Sequence, residues 1–203
     1  IALTANESAL GVAIGISVAR NLIGWSEFGG AFPIRVRANA ADSRLTARGG
    51  DVQVKTASAG SITAVVEAIA VAIAASASKG SVAGSVGGLW TDNRISSRVT
   101  ASLSRTSATA GPAGRLVVTA TDTSSVTADT RAAAVTASFS GKAAPSVSVG
   151  LSLAENTIDT VVLALLDNPG TINAPGGIVV TATNAATISV RSIAAALSAS
   201  AGS

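Results

Sequence analysis

The stretch GVAIGISVARN at residues 11–21 returns 135 residues later as SVSVGLSLAEN at 146–156. In the first copy Val12, Ile14, Ile16 and Val18 alternate with Ala13, Gly15, Ser17 and Ala19. In the second, Val147, Val149, Leu151 and Leu153 alternate with Ser148, Gly150, Ser152 and Ala154. A period of two over eight or more residues is the pattern of a β-strand. On a helix, β-branched residues at every second position would spread round the axis instead of forming a stripe. A half-exposed strand ordinarily alternates apolar with strongly polar residues, whereas this one alternates large aliphatic with very small neutral residues. The expectation is that the large face fills a core, while the Gly/Ala/Ser face lets a second sheet or another molecule come closer than the usual sheet spacing of about 10 Å. Ile69, Val71 and Ile73 against Ala68, Ala70, Ala72 and Ala74 repeat the pattern.

A third version, AGSVGGLWTDN, occupies 83–93 and fixes the columns: Gly15, Gly87 and Gly150 stand six residues before Asn21, Asn93 and Asn156, and Ile23, Ile95 and Ile158 two after. A second block follows as LTARGGDVQV (45–54), TAGPAGRLVV (109–118) and INAPGGIVVT (172–181), each a glycine turn that launches a β-branched run. An Ala- and Ser-rich block closes each unit: AVVEAIAVAIAASAS (64–78), ADTRAAAVTASFSG (128–141) and SVRSIAAALSAS (189–200). Internal repeats of this length are the mark of repeat architectures. The chain is therefore expected to be one all-β repeat domain over 1–203, a β-solenoid or a set of stacked sheets with about three repeats. Its units are 11–82, 83–145 and 146–203, the last continued by 1–10 of a following copy. Asn21 and Asn93 are 72 residues apart and Asn93 and Asn156 only 63, so the first unit carries an insertion at 24–33 that holds Trp25, Phe28 and Phe32. Glycine and asparagine tolerate the positive φ of tight turns. On that ground Gly15, Gly87 and Gly150, Asn21, Asn93 and Asn156, and Gly49, Gly50, Gly114, Gly176 and Gly177 are all expected at structural turns. One wide coil per unit and two stacked hairpins both fit the spacing.

Composition narrows the classes of function. Charged residues make up 12% of the chain and aromatics 2%, against 48% hydrophobic, with a mean hydropathy of +0.52. A spanning helix needs about 20 apolar residues in a row, and stretches such as 68–78 are too short. Five aromatics are too few for the girdles of a membrane barrel. The chain reads as soluble or self-assembling, with no membrane span. Its net charge of +3 comes from scattered Lys and Arg, not from the basic face that nucleic-acid binders concentrate.

With no His, Cys or Tyr, the commonest general base, thiol nucleophile and phenolic acid are missing. Asp122 and Asp129, followed by Arg131, are the nearest thing to a carboxylate pair and read as isolated surface charges. No calcium-roll or phosphate-binding glycine spacing occurs. No enzyme activity, cofactor or metal is expected. Asn6, in NES at 6–8, matches a glycosylation acceptor.

The order N-x-I, then V-x-A (Val99 to Ala101, Val162 to Ala164), then A-x-G-G and V-x-V-x-A resembles the strand repeats of very large bacterial surface and secreted proteins, the haemagglutinin-like and adhesin-like β-repeat proteins. The resemblance implies an elongated extracellular β architecture at a bacterial cell surface and carries over no functional residue. The function expected is a structural subunit that assembles with copies of itself, head to tail or laterally, into a fibre, sheath or surface layer. Unpaired edge strands would template the next subunit, with the small-residue faces packing on neighbours. The alternative is the stalk of an adhesin that contacts a host, a glycan or another cell-surface component through the 24–33 insertion.

Overall fold

The computed structural model describes residues 1–202. In chain order its strands are β1 (Ala2–Thr4), β2 (Ala9–Ile23), β3 (Ile34–Ala41), β4 (Arg44–Thr46), β5 (Val52–Ser58), β6 (Ser61–Ser76), β7 (Ser81–Ser104), β8 (Ser107–Thr109), β9 (Leu116–Asp122), β10 (Ser125–Ser140), β11 (Ser146–Asp167), β12 (Ile172–Asn173), β13 (Ile178–Asn184) and β14 (Thr187–Gly202). Every pairing between them is parallel, giving sheets ordered β1-β6-β10-β14, β2/β3-β7-β11, β4-β8-β12 and β5-β9-β13. Parallel neighbours one repeat apart make each unit a single wide coil; stacked hairpins would pair antiparallel. The protein is a β-solenoid of three coils, and β1 lies beside the end of β6, with Ala2 opposite Ala74.

The middle coil gives the path. β7 runs for 24 residues along one side; β8 turns the corner, and β9 and β10 return along the other side, so the coil is a flattened loop. β7 pairs with β2 as far as Ile23↔Ile95 and with β3 from Ile34↔Ser97. The jump in register places the 24–33 insertion outside the coil, where it leaves the wall intact.

The two sides of the loop are not equally far apart. Around 95–103 facing 116–122 the interior is conventional: Val99, Leu103, Leu116 and Val118 are fully buried and form the main core with Val52, Val54, Ala101 and Ala120. Toward 81–93 facing 127–140 the sheets close to backbone contact. A Cβ added to Gly87 would lie 2.5 Å from the carbonyl oxygen of Ala133, and one on Gly15 2.7 Å from that of Ile69. Over 81–87 only glycine, alanine and serine point inside, with Leu89 the first larger residue, and hydroxyls pair across the gap, as Ser81 Oγ with Ser138 Oγ at 2.8 Å and Ser152 Oγ with Ser192 Oγ at 2.8 Å.

This reverses the expected assignment of faces. The small face of residues 9–19 is the interior and the large face, Val12 to Val18, points outward. Gly15, Gly87 and Gly150 are therefore not turn residues: each sits within a strand where the opposite backbone leaves no room for a side chain. Asn21, Asn93 and Asn156 also lie within strands, facing inward.

The turns lie elsewhere. Gly49, Gly50, Gly114, Gly176 and Gly177 do occupy the bend before β5, β9 and β13, where the Gly111 amide donates to the Gly50 carbonyl at 2.9 Å and the Gly176 amide to that of Gly114 at 2.9 Å. The corner after each long wall is left-handed at Asp42, Arg105 and Asn168, with φ of 50, 45 and 43°. Arg105 donates to both carboxylate oxygens of Asp42, at 2.6 and 2.7 Å. Those hydrogen bonds hold Asp42 below its ordinary value of 3.8, outweighing partial burial, and raise Arg105 in return.

Gly87→Val is expected to destabilise the fold by about 3 kcal/mol or more through overpacking against backbone. Gly84→Val, where a Cβ meets nothing nearer than 4.0 Å, stays within about 0.5 kcal/mol of the parent; urea unfolding measures both. Because Asp42 is depressed, its contribution to stability is present above the unfolded value of 3.8 and is lost as pH falls through the lower folded value. In an NMR titration Asp42 has its midpoint below 3.8, and Arg105→Ala moves that midpoint up.

Candidate interaction site

Three surfaces of the solenoid carry features that its folding does not use up. The first follows from the narrow interior: with the small residues inside, the aliphatic ones form rows on the outer walls. On the β2, β7 and β11 wall, coil one contributes Leu10, Val12, Ile14, Ile16 and Val18. Coil three contributes Val147, Val149, Leu151 and Leu153, and Ile16 is 72% exposed. Between these two ridges the outward row of the middle coil runs Val82, Gly84, Val86, Gly88 and Trp90, so it is notched at Gly84 and Gly88. The opposite wall carries Ile69, Val71 and Leu197, with Ile69 65% exposed.

A belt of charge ends the first wall. The Asp92 carboxylate, wholly buried, accepts from Arg20 Nε at 3.0 Å and Arg94 Nε at 2.6 Å, and Arg94 reaches Glu155 at 3.0 Å. The bond to Asp92 raises Arg94 above its ordinary value, against the pull of desolvation. Over this belt folds the second surface, the 24–33 insertion. Gly24 turns the chain with φ of 69°, Trp25 bridges Ala31, the Phe32 amide donates to the Gly24 carbonyl at 2.9 Å, and Arg20 donates to the Glu27 carbonyl at 2.6 Å. The Arg94 guanidinium sits 5.3 Å from the centroid of the Trp25 ring, a cation–π distance. Trp25 is thus a lid on the belt, whereas Phe28 and Phe32 are 98% and 72% exposed.

The third surface is the pair of coil ends. Inside the walls the three inward asparagines form a ladder: Asn21 Nδ2 donates to Asn93 Oδ1 at 2.8 Å, and Asn93 Nδ2 to Asn156 Oδ1 at 2.8 Å. The amides all point one way, so coil one ends on an acceptor oxygen and coil three on a donor amide. Two residues after each asparagine an isoleucine faces inward, and Ile95 packs with Ile62 and Val126 between Ile23 and Ile158.

No arrangement suited to catalysis comes together. Asp122 and Asp129 stand seven positions apart and face opposite ways. Asp122 is buried, against the expectation of a surface charge, where it accepts from Ser97 Oγ at 3.1 Å and from the Ser124 amide at 3.0 Å. Asp129 lies on the outer wall and accepts from Arg131 at 2.6 Å. Among the described residues no group of three His, Cys, Asp or Glu could hold a metal ion, and no helix is long and apolar enough to cross a membrane. Asn6 lies exposed between β1 and β2.

Sequence reasoning found the insertion but missed the asparagine ladder and the outward aliphatic rows. Recurrence of Asn at one column, flanked by strand pattern on both sides, was the available signal for the ladder, since Asn ladders stabilise stacked parallel strands. No protein-family model matches this chain, and no curated protein or solved structure does either.

Removing the central rung leaves Asn21 without its acceptor and Asn156 without its donor. Asn93→Ala is expected to cost about 2–4 kcal/mol, since unmet buried polar groups cost about 1–3 kcal/mol each. Asn21→Ala, which breaks one bond at the open end, costs about 1 kcal/mol; thermal unfolding of the two variants gives the ratio.

Proposed function

We propose that the chain is a structural β-repeat subunit, extracellular at a bacterial surface, that stacks end to end with copies of itself into a fibre, sheath or surface layer. The observation that carries this reading is the complementarity of its two coil ends. Coil three offers unpaired parallel edges along β11, β13 and β14 and the Asn156 donor amide; coil one offers edges along β2 and β5 and the Asn21 acceptor oxygen. Exposed long edges are templates for a further strand, and β1 already lies against the coil-one edge in parallel register. A ladder with a donor end and an acceptor end favours head-to-tail order over head-to-head. No catalytic role is assigned: the chain has no His, Cys or Tyr, and Asp122 and Asp129 do not converge.

A second reading keeps the solenoid as a spacer in an adhesin and gives recognition to the insertion. It is favoured by one observation, the exposure of Phe28 and Phe32 at the tip of a loop whose base is fixed by Trp25 and Arg94.

Electron microscopy of the purified chain across a concentration series tests the two. End-on assembly gives filaments with an axial repeat of about 14 Å, three strand spacings of about 4.8 Å. Discrete short particles at every concentration would overturn it. On the spacer reading, Phe28→Ser with Phe32→Ser abolishes binding to a glycan array or cell surface and leaves particle length unchanged.

A further inference from the structure

We infer that the outer aliphatic wall built from β2, β7 and β11 between residues 81 and 91 of the middle coil is a lateral interface, on which a second copy of this chain packs face to face. The inference deepens the assembly reading, on which it rests, by adding a side-to-side contact to the end-on one. It also replaces the sequence expectation that small-residue faces meet neighbours, since those faces are used up inside the coil.

The amount of surface is the first argument. Eleven Leu, Ile and Val side chains stand open on this wall. At on the order of 100 Å² each, the area implied by the burial energies of such side chains, they present about 1,000 Å². The largest apolar patch on a typical soluble monomer is about 300–600 Å², and a standard protein interface takes about 800 Å² from each partner. One wall of one subunit is therefore already the size of an interface.

Relief is the second argument, and it selects the occupant. The ridges of coils one and three stand two strand spacings apart, about 9.6 Å, with the notches at Gly84 and Gly88, either side of Val86, between them. A Cβ on Gly84 or Gly88 would have its nearest neighbour at 4.0 or 3.8 Å, an ordinary van der Waals distance, so no close approach within the coil requires glycine at these two notches. A two-fold axis along the strand direction sets coil one of each copy over coil two of the other. Val12 and Ile16 of each, level with Gly84 and Gly88, then enter the notches of its partner while Ile14 meets Val86, which is the self-complementarity that a two-fold interface requires, and the row of coil three is left for the next copy along a stack. The charges at the border of the wall do not oppose this, because Asp92 is already neutralised by Arg20 and Arg94.

A lipid surface is the other candidate occupant for an aliphatic wall, and it fits less well. The first and last coils carry unpaired backbone N–H and C=O groups, which hydrocarbon does not tolerate. Exposed Glu7, Lys79 and Lys142 lie at the rim of the wall opposite the charge belt.

The test compares the parent chain with Ile14→Glu/Ile16→Glu, whose side chains are exposed and whose loss leaves the interior untouched, and with Ile69→Glu on the opposite wall. Circular dichroism and thermal unfolding first establish that all three are folded alike. Sedimentation across a concentration series and electron microscopy then read lateral pairing as doubled width and end-on assembly as length. The expected result is that the double variant weakens pairing by about a hundredfold or more and keeps filament length, while Ile69→Glu pairs as the parent does. Pairing that survives in the double variant overturns the inference, as does equal loss in both variants or a parent that never pairs. Flotation of a monomeric parent with phosphatidylcholine vesicles, abolished by the double variant, would assign the wall to lipid and overturn it as well. Single-width filaments from the parent refute the lateral contact alone. Paired short particles refute the end-on reading alone.

Discussion

The contact of Gly87 with the Ala133 carbonyl, and its counterparts at Gly15 and Gly150, sets the distance between the two walls, and the rest of the structure follows from that distance. Where backbones meet, no side chain larger than threonine can stand between them, so each strand must turn its small residues inward. The alternation of a strand then forces the larger residues out. A narrow interior and an aliphatic exterior are one constraint seen from two sides. Burying Ala, Gly and Ser recovers little apolar area per residue, but ordering them costs little side-chain entropy, and their hydroxyls find partners across the gap, as Ser81 does with Ser138.

The coil is a wedge. Along the inward face of β7 only small residues stand at Ser81, Ala83, Ser85 and Gly87, whereas Leu89, Asn93, Ile95, Val99 and Leu103 alternate with smaller ones beyond, and the walls separate to match. At the wide end a conventional core around Leu103, Leu116 and Val118 supplies hydrophobic stabilisation. In the middle the Asn ladder supplies register: an axial slip would strand buried amides, and a slip by one residue along the strand would exchange the faces. Narrow end, ladder and core thus do different work along one strand. The left-handed corners at Asp42, Arg105 and Asn168 close the loop at a matching position in every coil.

Much of this was legible in the sequence. Period two gave strands, the three-fold columns gave coils, and the difference between spacings of 72 and 63 placed the insertion, which the register jump between Ile23 and Ile34 reproduces. What the alternation alone does not decide is which face is inside, because Val12-Ile14-Ile16 looks like a core in any strand. Parity held the answer. Arg20 shares its face with Val12 to Val18, Asp92 and Arg94 share theirs with Val82 and Val86, and Glu155 and Asp159 share theirs with Val147 to Leu153. Burying a face with several charges costs more than burying one of small neutral residues, so the face that carries Arg20, Arg94, Glu155 and Asp159 is the one to leave outside. The same reasoning recovers the glycines, read as turns because glycine commonly marks them, when close approach was the cause.

The two modes of contact proposed for this chain scale differently, and the difference orders them. End-on stacking joins two coils whatever the length of the stack, so its strength per junction is fixed. Lateral contact grows with every coil, because each adds another row to the aliphatic wall. Coils one and two of a single unit commit about 700 Å² per partner, under the size of an ordinary interface, while stacked units bring the row of coil three into contact as well, through one rigid body. Contacts linked in this way act as a multivalent pair, whose combined affinity exceeds that of each part when geometry permits both to engage. Rigid, register-locked coils meet that condition, since the ladder fixes the spacing of the ridges from one coil to the next. Side-to-side association is therefore weak between single units and strong between stacks. A solenoid with a narrow glycine-lined interior is in this sense built to elongate before it thickens.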